Sequence, residues 1–266
     1  MNWLDNLLLK KRGTHPYPLG FQKGKDQSHI EKYPLSALPD DALPTSVPVA
    51  IGINWYTNFD KPVKDSKGNW WVGVDSSFKA TKNLGTVRGG HCVCLKPHAL
   101  SDTTAWWSFY DQGQEGACVG FGSTRMMTLL NRKRYDARWL WDMAKLGDEW
   151  PDTNPGDDNG TSVHAGMDVL RTKGHVPWEN SYAGRDYVAR DKEVPSMADG
   201  INAARWATST DQIVAALNSP NQQSMNAVCF VNSWGRYFPH YTFMPVEVLD
   251  RLIVKEQGEA ALVTDR

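Results

Sequence analysis

The chain has 266 residues, 41% of them hydrophobic and 22% charged, enough for one large domain or two lobes that share a site. Its 29 Lys and Arg against 30 Asp and Glu leave a formal net charge of -1, so no basic excess points to nucleic acid or to an anionic membrane. No apolar run reaches the roughly 18 residues of a membrane span, and the four cysteines (Cys92, Cys94, Cys118, Cys229) are too few and too clustered for a disulfide framework.

At the N-terminus the apolar residues precede Lys10 and Lys11, the reverse of a secretory signal. These features predict a soluble protein made in the cytoplasm without a signal peptide, a pattern that a virion component also shares. Residues 1–46, rich in Pro, Lys, Asp and Ser, read as an extended arm. The β-branched run 47–53 predicts a buried strand. Loops with one hairpin are expected over 58–87, and Gly89-Gly90-His91-Cys92-Val93-Cys94-Leu95 predicts a second strand.

Cys118 opens the helical part. Val119, Met126, Met127, Leu129 and Leu130 fall mostly on one helical face, and Asp136 is placed to cap the next helix, with Trp139, Leu140 and Met143 at helical spacing. Asn159-Gly160-Thr161-Ser162 precedes a further helix, for which Gly174 suits a left-handed C-terminal cap. A helix from Thr210 to Leu217 ends at Asn218-Ser219-Pro220. A strand over 227–231 leads into Asn232-Ser233-Trp234-Gly235, and a last short helix over 244–252 has Pro245 in its first turn. Helices in the middle and strands towards both ends predict an α+β protein. The division expected is an arm (1–46), the first part of a sheet lobe with the histidine strand (47–100), a helical lobe with the cysteine helix (101–200), and the rest of the sheet lobe with the asparagine strand (201–266). Together these form one catalytic unit.

The strongest chemical signal is Asp111-Gln112-Gly113-Gln114-Glu115-Gly116-Ala117-Cys118. A glycine-rich loop delivers a cysteine to a helix start, where unpaired N–H groups and the helix dipole stabilise a thiolate. An isolated cysteine is more simply a buried structural one; here the loop, Gln112 and the helix start act together. The Gln112 amide is placed to join the Cys118 N–H around a developing oxyanion. His91 is the candidate base: Gly89 and Gly90 let a substrate backbone approach, and the strand fixes the ring. Asn232 can accept a hydrogen bond from that imidazole and orient it without cancelling its charge. Trp234 is placed to shield the bond from water. Twelve tryptophans, several of them near Gly or Pro (Trp55, Trp70, Trp71, Trp106, Trp107), fit either a cleft lining or core and rim packing.

These three segments resemble the papain family of cysteine peptidases, over most residues from about 47 to 263. The pattern most resembles bacterial and bacteriophage members, through Trp106-Trp107-Ser108-Phe109-Tyr110-Asp111-Gln112-Gly113, Asp148-Glu149-Trp150-Pro151, Asp158-Asn159-Gly160-Thr161-Ser162-Val163 and Gly258-Glu259-Ala260-Ala261. The resemblance implies a helical lobe and an antiparallel β-barrel-like lobe with the active-site cleft between them. It implies thiolate attack on a peptide carbonyl through an acyl-enzyme, with Cys118, His91, Asn232 and Gln112 as the catalytic set, a peptide or protein as substrate, and no cofactor. Asn159, Gly160 and Thr161 resemble the wall of the non-primed side of the family's cleft, and the same residues also read as a plain helix cap.

Three features depart from the family. Glu115 stands where many members carry a disulfide cysteine, and Val119 replaces an aromatic residue; a carboxylate there would favour the imidazolium but oppose the thiolate. The arm before residue 47 is shorter than an inhibitory propeptide. The block from about 47 to 100 precedes the cysteine loop, whereas in the family the cysteine comes first, and the helix 210–217 would normally run into a strand such as 48–53. Other readings are an adenain-like cysteine protease, a cell-wall amidase or endopeptidase with Cys-His chemistry, and a papain-fold structural protein with a blunted site, for instance a phage particle component. A zinc site on His91, Cys92, Cys94 and His98 is disfavoured, because His91 and the two cysteines point to opposite faces of a strand.

Overall fold

The computed structural model describes residues 46–97, 110–148, 160–178, 194–235 and 238–266. Eight strands form one sheet: β1 (Val49–Tyr56), β2 (Val63–Lys64), β3 (Trp70–Trp71), β4 (Val87–Leu95), β5 (Ala203–Trp206), β6 (Ala227–Val231), β7 (Thr242–Pro245) and β8 (Glu259–Asp265). Their spatial order is β2-β3-β7-β6-β4-β1-β8-β5. All neighbours are antiparallel except β3 and β7. Among the described residues six α-helices accompany them: α1 (Cys118–Asn131), α2 (Ala137–Gly147), α3 (Val163–Thr172), α4 (Thr210–Leu217), α5 (Pro220–Ser224) and α6 (Val246–Asp250). The protein is α+β in two lobes, with α1, α2 and α3 on one face of the sheet.

The period-two alternation of the central strands decides which side chains meet which lobe. From β1, Val49, Ile51, Ile53 and Trp55 enter one core with Val93 and Leu95 of β4 and Ala260 and Leu262 of β8. The opposite face presents small residues, Ala50, Cys92, Cys94 and Ala261, to a second core with α1 and α3. Small side chains there let a helix lie close to the sheet, and α1 reciprocates at Gly122. A Cβ on that glycine would sit 2.7 Å from Cys92 Sγ. Every residue of α1 from Cys118 to Leu129 is buried, as a helix wrapped on all sides must be.

Local signals act as their chemistry dictates. Asp136 accepts from the Arg138 and Trp139 N–H groups at the start of α2. Ser162 caps α3 through the Ala165 N–H, and Glu259 Oε2 accepts from the Val163 N–H at 3.0 Å. Gly174 follows α3 at φ +78, with Ser196 O only 2.1 Å from where a Cβ would stand. The hairpin expected between 58 and 87 is β2–β3.

Several elements depart from expectation. α4 ends at Leu217 before Asn218-Ser219-Pro220 as expected, but Pro220 also opens α5, and Pro245 ends β7 and stands as N-cap of α6, one place earlier than the first turn. α6 continues into a π-helical turn, Arg251–Lys255. The arm 1–45, Trp106, Trp107 and His98 lie outside the described residues.

Two contacts tie together parts far apart in the chain. The Val47 N–H donates to Ala216 O at 3.1 Å, and Asn218 Nδ2 donates to Ser46 Oγ at 3.4 Å. The end of α4 therefore abuts the start of β1.

Candidate active site

His91 lies in β4 opposite Ile53 of β1, with its side chain on the same face as Val93 and Leu95. Its ring is stacked on Trp234, centroids 4.8 Å apart, and meets Trp55 edge-on at 4.7 Å. Trp55 and Trp234 also touch, at 5.1 Å, so the imidazole is held between two indoles. His91 Nε2 is 2.9 Å from Asn232 Oδ1. That same oxygen accepts the Ser233 N–H at 2.8 Å, which identifies it as the amide oxygen. Nε2 is therefore the protonated, donating nitrogen, and Nδ1 carries the lone pair. Nδ1 is buried and makes no hydrogen bond among the described residues. Burial lowers the pKa of His91 to about 3; the Asn232 bond opposes this and the Arg88 charge adds to it.

The cysteine loop is fastened to the asparagine turn by backbone pairing. Gln112 N–H donates to Ser233 O at 2.9 Å and Gly235 N–H to Tyr110 O at 3.0 Å, with Asp111 and Trp234 facing each other as an antiparallel bridge. Six residues on, Cys118 is the first residue of α1, so its side chain leaves from the helix's N-terminal turn. Cys118 shares the second core with Cys92, the neighbour of His91. The loop, the turn and the histidine strand thus converge through Ser233, Trp234 and the α1–β4 packing.

The predicted residues are placed as follows. Cys118, His91 and Gln112 are fully buried, and Asn232 and Trp234 nearly so. The set is closed to solvent. Gln112 Nε2 donates to Glu115 O at 3.0 Å, so in this state the amide holds its own loop. Gly89 and Gly90 are half-buried in β4. Gly160 and Thr161 are buried, and Thr161 Oγ1 donates to Asp148 Oδ2 at 2.5 Å. Asn159 lies outside the described residues.

The two substitutions noted in the sequence acquire physical settings. Glu115 does not stand as an isolated carboxylate beside the thiol: its Oε2 is 2.7 Å from Arg138 Nε at the start of α2. Val119 is buried against α3, with a methyl 3.1 Å from where a Gly166 Cβ would be, a gap with no room for an aromatic ring.

Sequence reasoning missed one buried network. Trp55 Nε1 donates to Asp60 Oδ1 at 2.9 Å, and Asp60 also pairs with Arg88 of β4. A carboxylate thereby links the indole beside His91 to the strand that carries it. In sequence Asp60 reads as an ordinary turn residue, and only the strand parity that puts Trp55 on the His91 face hints at the link. Cys92 and Cys94 face α1 and are packed as core residues; among the described residues no group of His, Cys, Asp and Glu could hold a metal ion. No described helix is long and apolar enough to cross a membrane.

No protein-family model matches the chain, and no curated protein matches it significantly. Among solved structures it is similar to xylellain, a cysteine protease from Xylella fastidiosa. The identity is 16%, the match covers 65% of this chain and 87% of that one, and the TM-score is 0.44.

Proposed function

We propose that the chain is a papain-like cysteine hydrolase, a peptidase that attacks a peptide carbonyl with Cys118 and passes through an acyl-enzyme. One observation carries the reading: Asn232 Oδ1 accepts a hydrogen bond from His91 Nε2–H, and Nδ1 is left as a buried nitrogen with no hydrogen-bond partner among the described residues. A buried polar atom without a partner costs free energy, and such atoms persist where chemistry uses them. In this reading Nδ1 takes the Cys118 proton, and His91 later protonates the leaving amine. Asn232 and Trp234 hold the ring, while the Cys118 N–H and, once released from Glu115 O, the Gln112 amide bind the oxyanion. Gly89 and Gly90 admit the substrate backbone, and Asn159, Gly160 and Thr161 wall the non-primed side. The partner is a peptide or protein, with neither metal nor cofactor.

The abutment of α4 and β1 supports a second part of the proposal. In the family this helix runs into this strand. Here the two ends meet in space through Val47 and Ala216 although the chain order differs, consistent with a transposed block in a conserved arrangement. The closed site and the engaged Gln112 favour one alternative, a catalytically silent papain-fold protein of a particle.

Labelling of native protein with an epoxide thiol inhibitor, read by intact mass and peptide mapping, separates the two. A working site gives modification confined to Cys118 and absent from Cys118→Ala and His91→Ala. Labelling at the rate of a free thiol, or spread over Cys92, Cys94 and Cys229, supports the silent protein.

A further inference from the structure

The mechanism above makes no use of Cys92, yet this thiol lies against the helix that begins with the nucleophile. Cys92 follows His91 in β4 and points to the opposite face, towards α1. Its Sγ sits 2.7 Å from where a Gly122 Cβ would be. Gly122 is one helical turn beyond Cys118, on the same face of α1, and the charges of Cys92 and Cys118 act on each other. Both thiols are buried in one core and neither is in a disulfide. Any small residue would satisfy the close packing of sheet on helix; a thiol adds a reducing nucleophile.

We propose that Cys92 is a resolving thiol for Cys118: a hydroperoxide oxidises Cys118, and the pair closes to a Cys92–Cys118 disulfide that reversibly switches the site off. The inference rests on the reading of Cys118 as the nucleophile. The Cys118 thiolate attacks the peroxide; an S–O bond forms, the O–O bond breaks, and the departing oxygen leaves as water or alcohol after taking a proton. The Cys92 sulfur then attacks the Cys118 sulfenic sulfur; the S–S bond forms, the S–O bond breaks, and the hydroxyl leaves with the Cys92 proton as water. The peroxide is reduced and the two thiols are oxidised by two electrons in all. Burial holds the Cys92 thiol well above its ordinary pKa, which keeps it protonated and unreactive towards the peroxide itself; its proton leaves with the sulfenic hydroxyl in the second step.

The test uses the full reduced chain. Epoxide labelling of Cys118 is measured before hydrogen peroxide, after it, and after dithiothreitol, with non-reducing peptide maps at each stage. The expected result is a Cys92–Cys118 linked peptide with loss of two hydrogens, labelling abolished by peroxide and restored by dithiothreitol. In Cys92→Ala the same peroxide takes Cys118 to the sulfinic acid and labelling does not return, whereas Cys94→Ala, from the same strand face, keeps the switch. Cys118 sulfinic acid in the wild type with Cys92 still reduced, or a Cys94–Cys229 bridge in its place, overturns the inference. Absence of His91-dependent labelling before any peroxide is added overturns instead the reading on which it rests.

Discussion

His91 and His175 are both fully buried, and burial lowers both rings to a pKa of about 3. Their hydrogen bonds separate them. His175 Nδ1 accepts the Val176 N–H at 2.9 Å, so its Nε2 is the protonated nitrogen and donates to Thr124 Oγ1, also at 2.9 Å. Its ring is stacked on Tyr135 and Trp139, and both nitrogens are satisfied. His91 has equal burial and equal aromatic packing but one nitrogen with no hydrogen bond among the described residues. Burial and titration shift do not separate these two rings; their hydrogen bonds do.

The largest expected effect breaks the comparison in opposite directions. His91→Ala lowers the rate of Cys118 labelling in the folded fraction by about 10²- to 10⁴-fold, the range for a general base. His175→Ala leaves two buried polar groups without partners and costs about 3 kcal/mol, read by urea unfolding, while the folded fraction labels at the wild-type rate. Similar effects of both variants on labelling would erase the distinction.

Asp60→Asn is next. It leaves Arg88 buried without its countercharge and costs about 3 kcal/mol in thermal or urea unfolding. Because Trp55 can still donate to the new amide, labelling falls less than in His91→Ala.

Acid sharpens the comparison further. Below about pH 6.5 the unfolded chain takes up protons on both histidines while the folded chain does not until about pH 3. Folded stability therefore falls as pH drops through that window, by about 1.4 kcal/mol per unit for each ring, and these two rings add no slope above it. Urea titrations from pH 7 to 4.5, where ordinary carboxylates contribute little, measure the slope. In His175→Asn it is about half the wild-type value.

The smallest effect is at Asn232. Asn232→Ala removes the acceptor of two buried donors, His91 Nε2–H and Ser233 N–H; it slows labelling about tenfold and costs about 2 kcal/mol in urea unfolding.

Much of this arrangement was legible in the residues. Gly89-Gly90-His91, the loop before Cys118 and Asn232-Ser233-Trp234-Gly235 are local signals, and so are the caps at Asp136, Ser162 and Gly174. Strand β6 appeared with its bounds because its apolar run has clear ends. Strands β5 and β8 did not: Ala203–Trp206 is half-buried and short, and Glu259–Asp265 owes its strand state to pairing with β1, a partner some 200 residues away. The Trp55–Asp60–Arg88 network and the Glu115–Arg138 pair were hidden for the same reason, since side-chain partners across a fold leave no mark in local spacing. Cys92 was read as packing alone because Gly122, which reveals its neighbour, lies on another element.

The central claim is that His91 Nδ1 serves Cys118. The most direct measurement is the pH dependence of Cys118 alkylation in wild type and in His91→Ala. The account predicts that the wild-type rate stays high well below the ordinary thiol range of about 8.5, and that His91→Ala reacts only as pH rises into that range. Superimposable profiles would contradict it.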